Sequence, residues 1–235
     1  MTRCEKVLFL AVLFCFGFTA QAHAGAITGK ANFSGQAPAP EAISMNADPA
    51  CAAAHASPPL DLSVVVNPDN TLQNVFVYVK SGLEGKTFDL PAEAVTLDQK
   101  GCMYYPHVFG IRAGQSLEIV NSDPTLHNVH NLATNSKEFN LGMPIQGMKL
   151  KKTFEQPEIM VKFKCDVHPW MHAYIGILEH PFFSVTGDSG TFEIKDLPPG
   201  TYTVGAWHEK YGVQEQTVTV GDGETKAVDF NFQGA

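Results

Sequence analysis

Apolar side chains recur at every second position through much of the chain, and Gly, Pro, Asn and Asp interrupt them every few residues. Alternation of period two, bounded by such residues, predicts short β-strands. Residues 27–33 form one such segment, ending at Gly35. Residues 64–66 and 75–79 predict two more, separated by the turn signal Asn67-Pro68-Asp69-Asn70. Residues 117–120 predict another, entered from Ala113-Gly114 and left through Asn121-Ser122-Asp123-Pro124. Residues 36–59, rich in Ala and Pro, read as irregular chain, and 135–158 as loop and short strand. The chain after residue 24 carries no convincing helical period. Many short strands with turn punctuation predict an all-β protein built of sandwiches.

Two stretches sharpen this picture. In Ile159-Met160-Val161-Lys162-Phe163-Lys164-Cys165, the residues Ile159, Val161, Phe163 and Cys165 alternate with Met160, Lys162 and Lys164. Residues two apart share a strand face, so Cys165 is expected on the apolar face at the strand end. Beyond about residue 180 strands are expected at 191–195, 201–207, 217–220 and 227–232, with turns at Gly187-Asp188-Ser189-Gly190, Leu197-Pro198-Pro199-Gly200 and Gly221-Asp222-Gly223.

The first residues predict an export leader: Arg3 and Lys6, an apolar run of 12 residues over 7–18, then the small-x-small pattern Ala22-His23-Ala24. The run is shorter than the roughly 20 residues a helix needs to cross a bilayer. Cleavage after Ala24 is the expectation, with an uncleaved anchor as the alternative; no later stretch predicts a membrane span. The formal net charge is -8, from 16 basic and 24 acidic residues. Without residues 1–24 the chain keeps 14 basic and 23 acidic residues. That balance argues against nucleic acid and against an anionic membrane surface as partners. The expected location is the periplasm or the exterior, where disulfides persist. Of five cysteines, Cys4 and Cys15 leave with the leader, and an odd number remains. Cys165 sits beside histidines and a methionine, whereas Cys51 and Cys102 have no such neighbours within three residues. Cys51 and Cys102 are therefore expected to form a disulfide, two separate buried thiols being the alternative.

The candidate chemistry lies in two clusters, Asn121 to His130 and Cys165-Asp166-Val167-His168-Pro169-Trp170-Met171-His172. A mononuclear electron-transfer copper site takes two imidazoles, a thiolate and a weak axial thioether. Cys-x2-His-x2-Met lets one loop supply Cys165, His168 and Met171, and His127 supplies the distant donor. His172, His130 and His107 are secondary candidates. Zinc, the main rival metal, favours closed Cys/His tetrahedra and has no need of Met171. Copper, one per chain, cycling between Cu(I) and Cu(II), is the expected cofactor.

On these residues the segment 106–178 resembles the cupredoxins, the amicyanin and plastocyanin branch above all. The resemblance implies a Greek-key β-sandwich with His127, Cys165 and His168 as equatorial ligands and Met171 as the axial one. It also implies that Asn128 ties the two ligand loops together. It further implies that His168 reaches the surface through an apolar patch, where Pro169 and Trp170 would dock a partner, plain packing of Trp170 being the alternative. Gly190, Phe192, Ile194, Leu197, Pro198, Pro199, Gly200, Tyr202 and Val204 resemble the signature of the carboxypeptidase regulatory-like (transthyretin-like) β-sandwich. The whole chain is similar to bacterial periplasmic plastocyanin-like and methylamine-utilisation-type proteins.

The expected organisation is a leader over 1–24, a copper domain over 25–180 with its core at about 92–180, and a smaller regulatory-like sandwich over 181–235. Residues 25–80 are short of a role in the copper core and could complete the smaller sandwich, which would make the copper domain an insertion. The expected function is one-electron transfer, not enzymatic, with a periplasmic cytochrome or oxidoreductase as partner. Copper storage, handling or tolerance is the alternative, then a structural or adhesion role. No Gly-x-Ser-x-Gly, His-Glu-x-x-His or phosphate-binding loop is present.

Overall fold

Strand β1 (Gly25–Ser34) buries its odd positions Ile27, Ala31 and Phe33. Residues 23–234 are described by the structure, a computed structural model. All of the expected leader except His23 and Ala24 lies outside the described residues. After β1 come α1 (Pro49–Ala53), β2 (Phe76–Ser81), β3 (Val95–Lys100), β4 (Met103–Tyr105), β5 (Val108–Arg112), β6 (Ser116–Asn121), β7 (His127–Asn131), β8 (Phe139–Met143) and β9 (Lys149–Thr153). Then follow β10 (Glu158–Lys164), β11 (His172–Leu178), β12 (Phe183–Val185), β13 (Thr191–Leu197), β14 (Gly200–His208), β15 (Gly212–Val220), β16 (Thr225–Ala227) and β17 (Phe230–Gln233). The protein is all-β, as its hydrophobic alternation predicts; α1 is the one helix among the described elements, and no helix there is long and apolar enough to cross a membrane.

Two sandwiches result. In the first, the sheet β5-β11-β10-β7-β8 faces the sheet β4-β3-β6-β9. Leu97, Ile111, Leu117, Ile119, Val129, Phe163, Ile175 and Ile177 fill the space between them. The chain passes from one sheet to the other between β4 and β5, β5 and β6, β6 and β7, β8 and β9, and β9 and β10. In the second, β1 with β13, β16 and β17 faces the sheet β12-β2-β14-β15. Its core combines Ile27, Phe33, Leu72, Val77 and Val79 with Phe192, Ile194, Val204, Phe230 and Phe232. Residues 181–235 therefore do not make this core alone. Strand β1 pairs with β13, β16 and β17, and β2 pairs with β12 and β14. In this topology β3–β11 sit between two segments of the second sandwich, the insertion order that the sequence leaves open beside a tandem one.

The sandwiches pack face on face. Phe76 and Tyr78 of β2 point away from their own core and meet Val108, Leu178 and the half-buried Tyr174. Because β2 is covered on both faces, Phe76, Val77, Tyr78 and Val79 are all buried, and the run reads as continuous hydrophobicity rather than alternation. The close approach depends on Gly110 and Gly176, which are paired on the parallel strands β5 and β11. A Cβ at Gly176 would lie 2.3 Å from Phe76 Cζ, and one at Gly110 would lie 2.3 Å from the Phe183 ring. Phe76 and Phe183 stack on each other over this gap, with ring centroids 5.5 Å apart.

Three local expectations change. The segment 64–66 is not a strand; only Val66 makes an isolated bridge, to Leu72. The region 36–59 contains α1, with Asp48 as its N-cap, accepting from the backbone of Ala50 and Cys51, and Pro49 in the first turn. The alternation before Cys165 holds for Val161, Phe163 and Cys165, but a register shift in β10 falls between Glu158 and Val161. There Met160 takes φ 61°, turns into the contact between the sandwiches, and leaves Ile159 37% exposed. An extra residue in one strand of an antiparallel pair bends it and re-aims side chains in this way.

Candidate metal centre

His127 opens β7, and Cys165 follows β10 directly. These neighbouring strands pair through Asn131 with Phe163 and His130 with Lys164, so the two residues arrive at one end of the first sandwich. The loop 165–171 is closed at both sides. Cys165 N–H donates to the Met171 carbonyl at 3.1 Å, and Met171 N–H donates to the His168 carbonyl at 2.9 Å. His168 N–H and Asn128 N–H point at Cys165 Sγ from 3.4 and 3.5 Å. Asn128 Oδ1 accepts from the backbone of Asp166 at 2.7 Å and of Val167 at 3.3 Å, so its side chain joins the two segments. Tyr104 Oη donates to the Asn128 carbonyl at 2.5 Å and holds it from beneath.

The donors converge. His127 Nδ1 and His168 Nδ1 are 3.0 Å apart, and Cys165 Sγ lies 3.8 Å from His168 Nδ1. His127, Cys165 and His168 are each no more than 2% exposed, and Met171 is fully buried in the core beside them. Metal–nitrogen bonds of about 2.0–2.1 Å and metal–sulfur bonds of about 2.3 Å need donor separations of about 3.3–3.8 Å, which this set approaches without rearrangement. The soft and borderline donor types suit copper. The residues therefore fit the metal expected from the sequence.

A carboxylate holds each imidazole from behind. Asp123 Oδ2 lies 2.9 Å from His127 Nε2, and Asp48 Oδ2 lies 3.0 Å from His168 Nε2. Such partners fix the tautomer and leave the other ring nitrogen for a metal. Asp123 also accepts from the backbone of Gly101 and Cys102, each at 2.7 Å. Burial works against charge on His127, but Asp123 and the Cys165 thiol outweigh it and raise its pKa to about 9. Burial and the neighbouring His127 charge push His168 below the usual range, against the pull of Asp48. For Cys165 burial favours the thiol, yet His127 and the converging N–H groups pull its pKa down towards the thiolate.

Cys51 and Cys102 are joined in a disulfide, with Cα atoms 5.4 Å apart, and Cys165 is free. The disulfide anchors α1 over His168. This reverses one expectation: His168 does not reach the surface, because Asp48 and Cys51 cover its outer edge, with Cys51 Sγ 3.5 Å from Nε2. Trp170 is half-buried, donating from Nε1 to the Cys102 carbonyl at 3.0 Å, its ring centroid 5.1 Å from His168. It packs against the loop, while Pro169 is exposed. Exposed apolar residues next to the donors in sequence are Leu126 and Val167, at 44% and 46%.

The secondary candidates separate from this centre. His130 lies outside it, bridging Asp166 at 3.0 Å and Glu138 at 2.7 Å on the surface. His107 and His172 instead meet each other and Glu209 in a separate group. Sequence reasoning overlooked Asp48, Asp123 and Glu209. The Asp48-Pro49 pair is a helix-start signal, and Asp123 stands four residues before His127; Glu209 carries no local signal.

No curated protein matches the chain. Solved structures similar to part of it include a copper-containing nitrite reductase from Thermus scotoductus SA-01, at 23% identity and TM-score 0.36, over 43% of this chain and 26% of that one. They also include a purple cupredoxin from Nitrosopumilus maritimus, at 21% identity and TM-score 0.31, over 35% of this chain and 98% of that one. A reduced amicyanin variant is similar at 20% identity and TM-score 0.33, over 43% of this chain and 97% of that one. This chain thus spans about a quarter of the nitrite reductase's length. Residues 177–233 match the carboxypeptidase regulatory-like domain family, so the chain joins that domain to a sandwich with cupredoxin-like structural neighbours.

Proposed function

We propose that this chain is an exported copper protein whose centre, His127, Cys165 and His168 with Met171 as weak fourth donor, serves one-electron transfer. The observation that carries this reading is the convergence of two imidazole Nδ1 atoms and a thiol, all buried, at one end of a rigid sandwich. Copper bound there would supply a centre that passes between Cu(I) and Cu(II). The protein's own residues hold the donors still. Asn128 locks the ligand loop to β7, Asp123 and Asp48 orient the rings, and the N–H groups of Asn128 and His168 stabilise negative charge on Cys165. A donor set that moves little between oxidation states is what electron transfer requires. Its burial also leaves the donors no exposed face for a substrate, which supports a carrier over an enzyme. The partner on this reading is a redox protein of the same compartment, such as a cytochrome or oxidoreductase, meeting the end that carries Leu126, Val167 and Pro169.

Copper storage or handling is the second reading, and the covering of His168 by Asp48 and α1 favours it. A redox titration separates the two. A carrier cycles reversibly with no metal loss, and Met171→Leu raises its potential by removing a donor to Cu(II), while His172→Ala changes it little. Metal release to a chelator without stable cycling would favour storage. A potential that responds to His172→Ala and not to Met171→Leu would overturn the axial assignment.

A further inference from the structure

We propose a second metal site, in which His107, His172 and Glu209 take one divalent transition ion with a preference for nitrogen and oxygen donors, such as Zn2+, between the two sandwiches. His107 stands just before β5 and His172 opens β11, both in the first sandwich, whereas Glu209 follows β14 in the second. Glu209 Oε1 lies 3.2 Å from His107 Nε2, and Glu209 Oε2 lies 3.3 Å from His172 Nε2. Donors at the corners of a tetrahedron with arms of about 2.0–2.1 Å are about 3.3 Å apart. Two imidazoles and a carboxylate make a donor set suited to zinc and its neighbours, with a position left for water.

The orientation of the His172 ring points the same way. Its Nδ1 lies 3.1 Å from the Trp170 carbonyl, which can only accept, so Nδ1 carries the hydrogen. Nε2 is therefore the ring atom that faces the Glu209 carboxylate. Either a proton on Nε2 or a metal ion between the two atoms satisfies this pair. The Glu209 side chain is 6% exposed, and that of His107 4%. Ser63 Oγ, 3.5 Å from His172 Nε2, offers a further oxygen. The site shares no donor with the Cys165 centre, and it would clamp the inserted sandwich to the one that encloses it.

The test is a Zn2+ titration of the full chain whose Cys165 centre has first been loaded with copper. Wild type is expected to take one further Zn2+ per chain, with a rise in thermal midpoint. Glu209→Gln, close in shape to the native residue, and His172→Ala are each expected to weaken this binding at least 100-fold, with the visible copper band unchanged. If the chain takes no copper, the difference in Zn2+ uptake between wild type and Glu209→Gln still reads the second site. Absence of the further equivalent in wild type, or equal Zn2+ affinity in wild type and both variants, would show that the cluster is only a protonated His–Glu clasp.

Discussion

His127 Nδ1 and His168 Nδ1 face each other across 3.0 Å while a carboxylate holds the far side of each ring. The two imidazoles come from segments 41 residues apart in sequence, and the carboxylates from a turn and from the cap of a short helix. The centre is thus assembled from the end of one sandwich and closed by a disulfide-tethered cover.

The Asp48 contact gives the first prediction. Asp48→Ser keeps an acceptor for the start of α1 but removes the carboxylate facing His168 Nε2. Copper affinity is expected to fall about 10–100-fold, with the thermal midpoint little changed, as for other carboxylates that orient a metal-binding imidazole. Competition against a chelator measures it. Unchanged affinity would mean that Asp48 merely caps the helix.

The contact between sandwiches gives a second. Gly176→Ala places a methyl against the Phe76 ring, where its Cβ would sit 2.3 Å from Cζ. Overpacking of this kind is expected to cost about 1–3 kcal/mol in denaturant unfolding. Phe76→Leu in the same chain should recover part of that loss. Gly142→Ala, whose Cβ would meet nothing within 4 Å, serves as the control and should lie within about 0.5 kcal/mol of wild type.

A third concerns pH. Burial drives the pKa of His180 down to about 4, with the Arg112 charge adding to the effect. The neutral ring accepts at Nδ1 from Phe182 N–H at 3.3 Å. A histidine lowered on folding contributes stability above its unfolded pKa of about 6.5 and loses it as pH falls through about 4. His180→Gln should therefore flatten the stability profile between those values by on the order of 1–2 kcal/mol, allowing for its partial exposure. Equal slopes for wild type and variant would contradict this.

The ligand loop was legible because its chemistry is local: Cys165, His168 and Met171 fall within seven residues, and Cys-x2-His-x2-Met has few other uses. The strands of the regulatory-like segment were legible for the same reason, their alternation being undisturbed. What escaped depends on long-range packing. Asp48 meets His168 across 120 residues, and Glu209 meets His107 across 102. Strand β1 gives no sign in its own residues that its partners are β13, β16 and β17. The Met160 turn was hidden because a register shift leaves the apolar pattern intact while re-aiming the side chains. The contact of the Trp170 indole with the Cys102 carbonyl, 68 residues away, likewise has no local sign in the sequence.

The most direct test is the visible spectrum of the copper-loaded protein beside that of Cys165→Ser. Wild type is expected to take one copper at this centre and show an intense thiolate-to-copper band on oxidation. Cys165→Ser should lose the band while keeping its β-sheet circular dichroism. A Cys165→Ser protein with the wild-type spectrum, or a wild-type protein that takes up copper without any such band, would contradict the assignment of the centre.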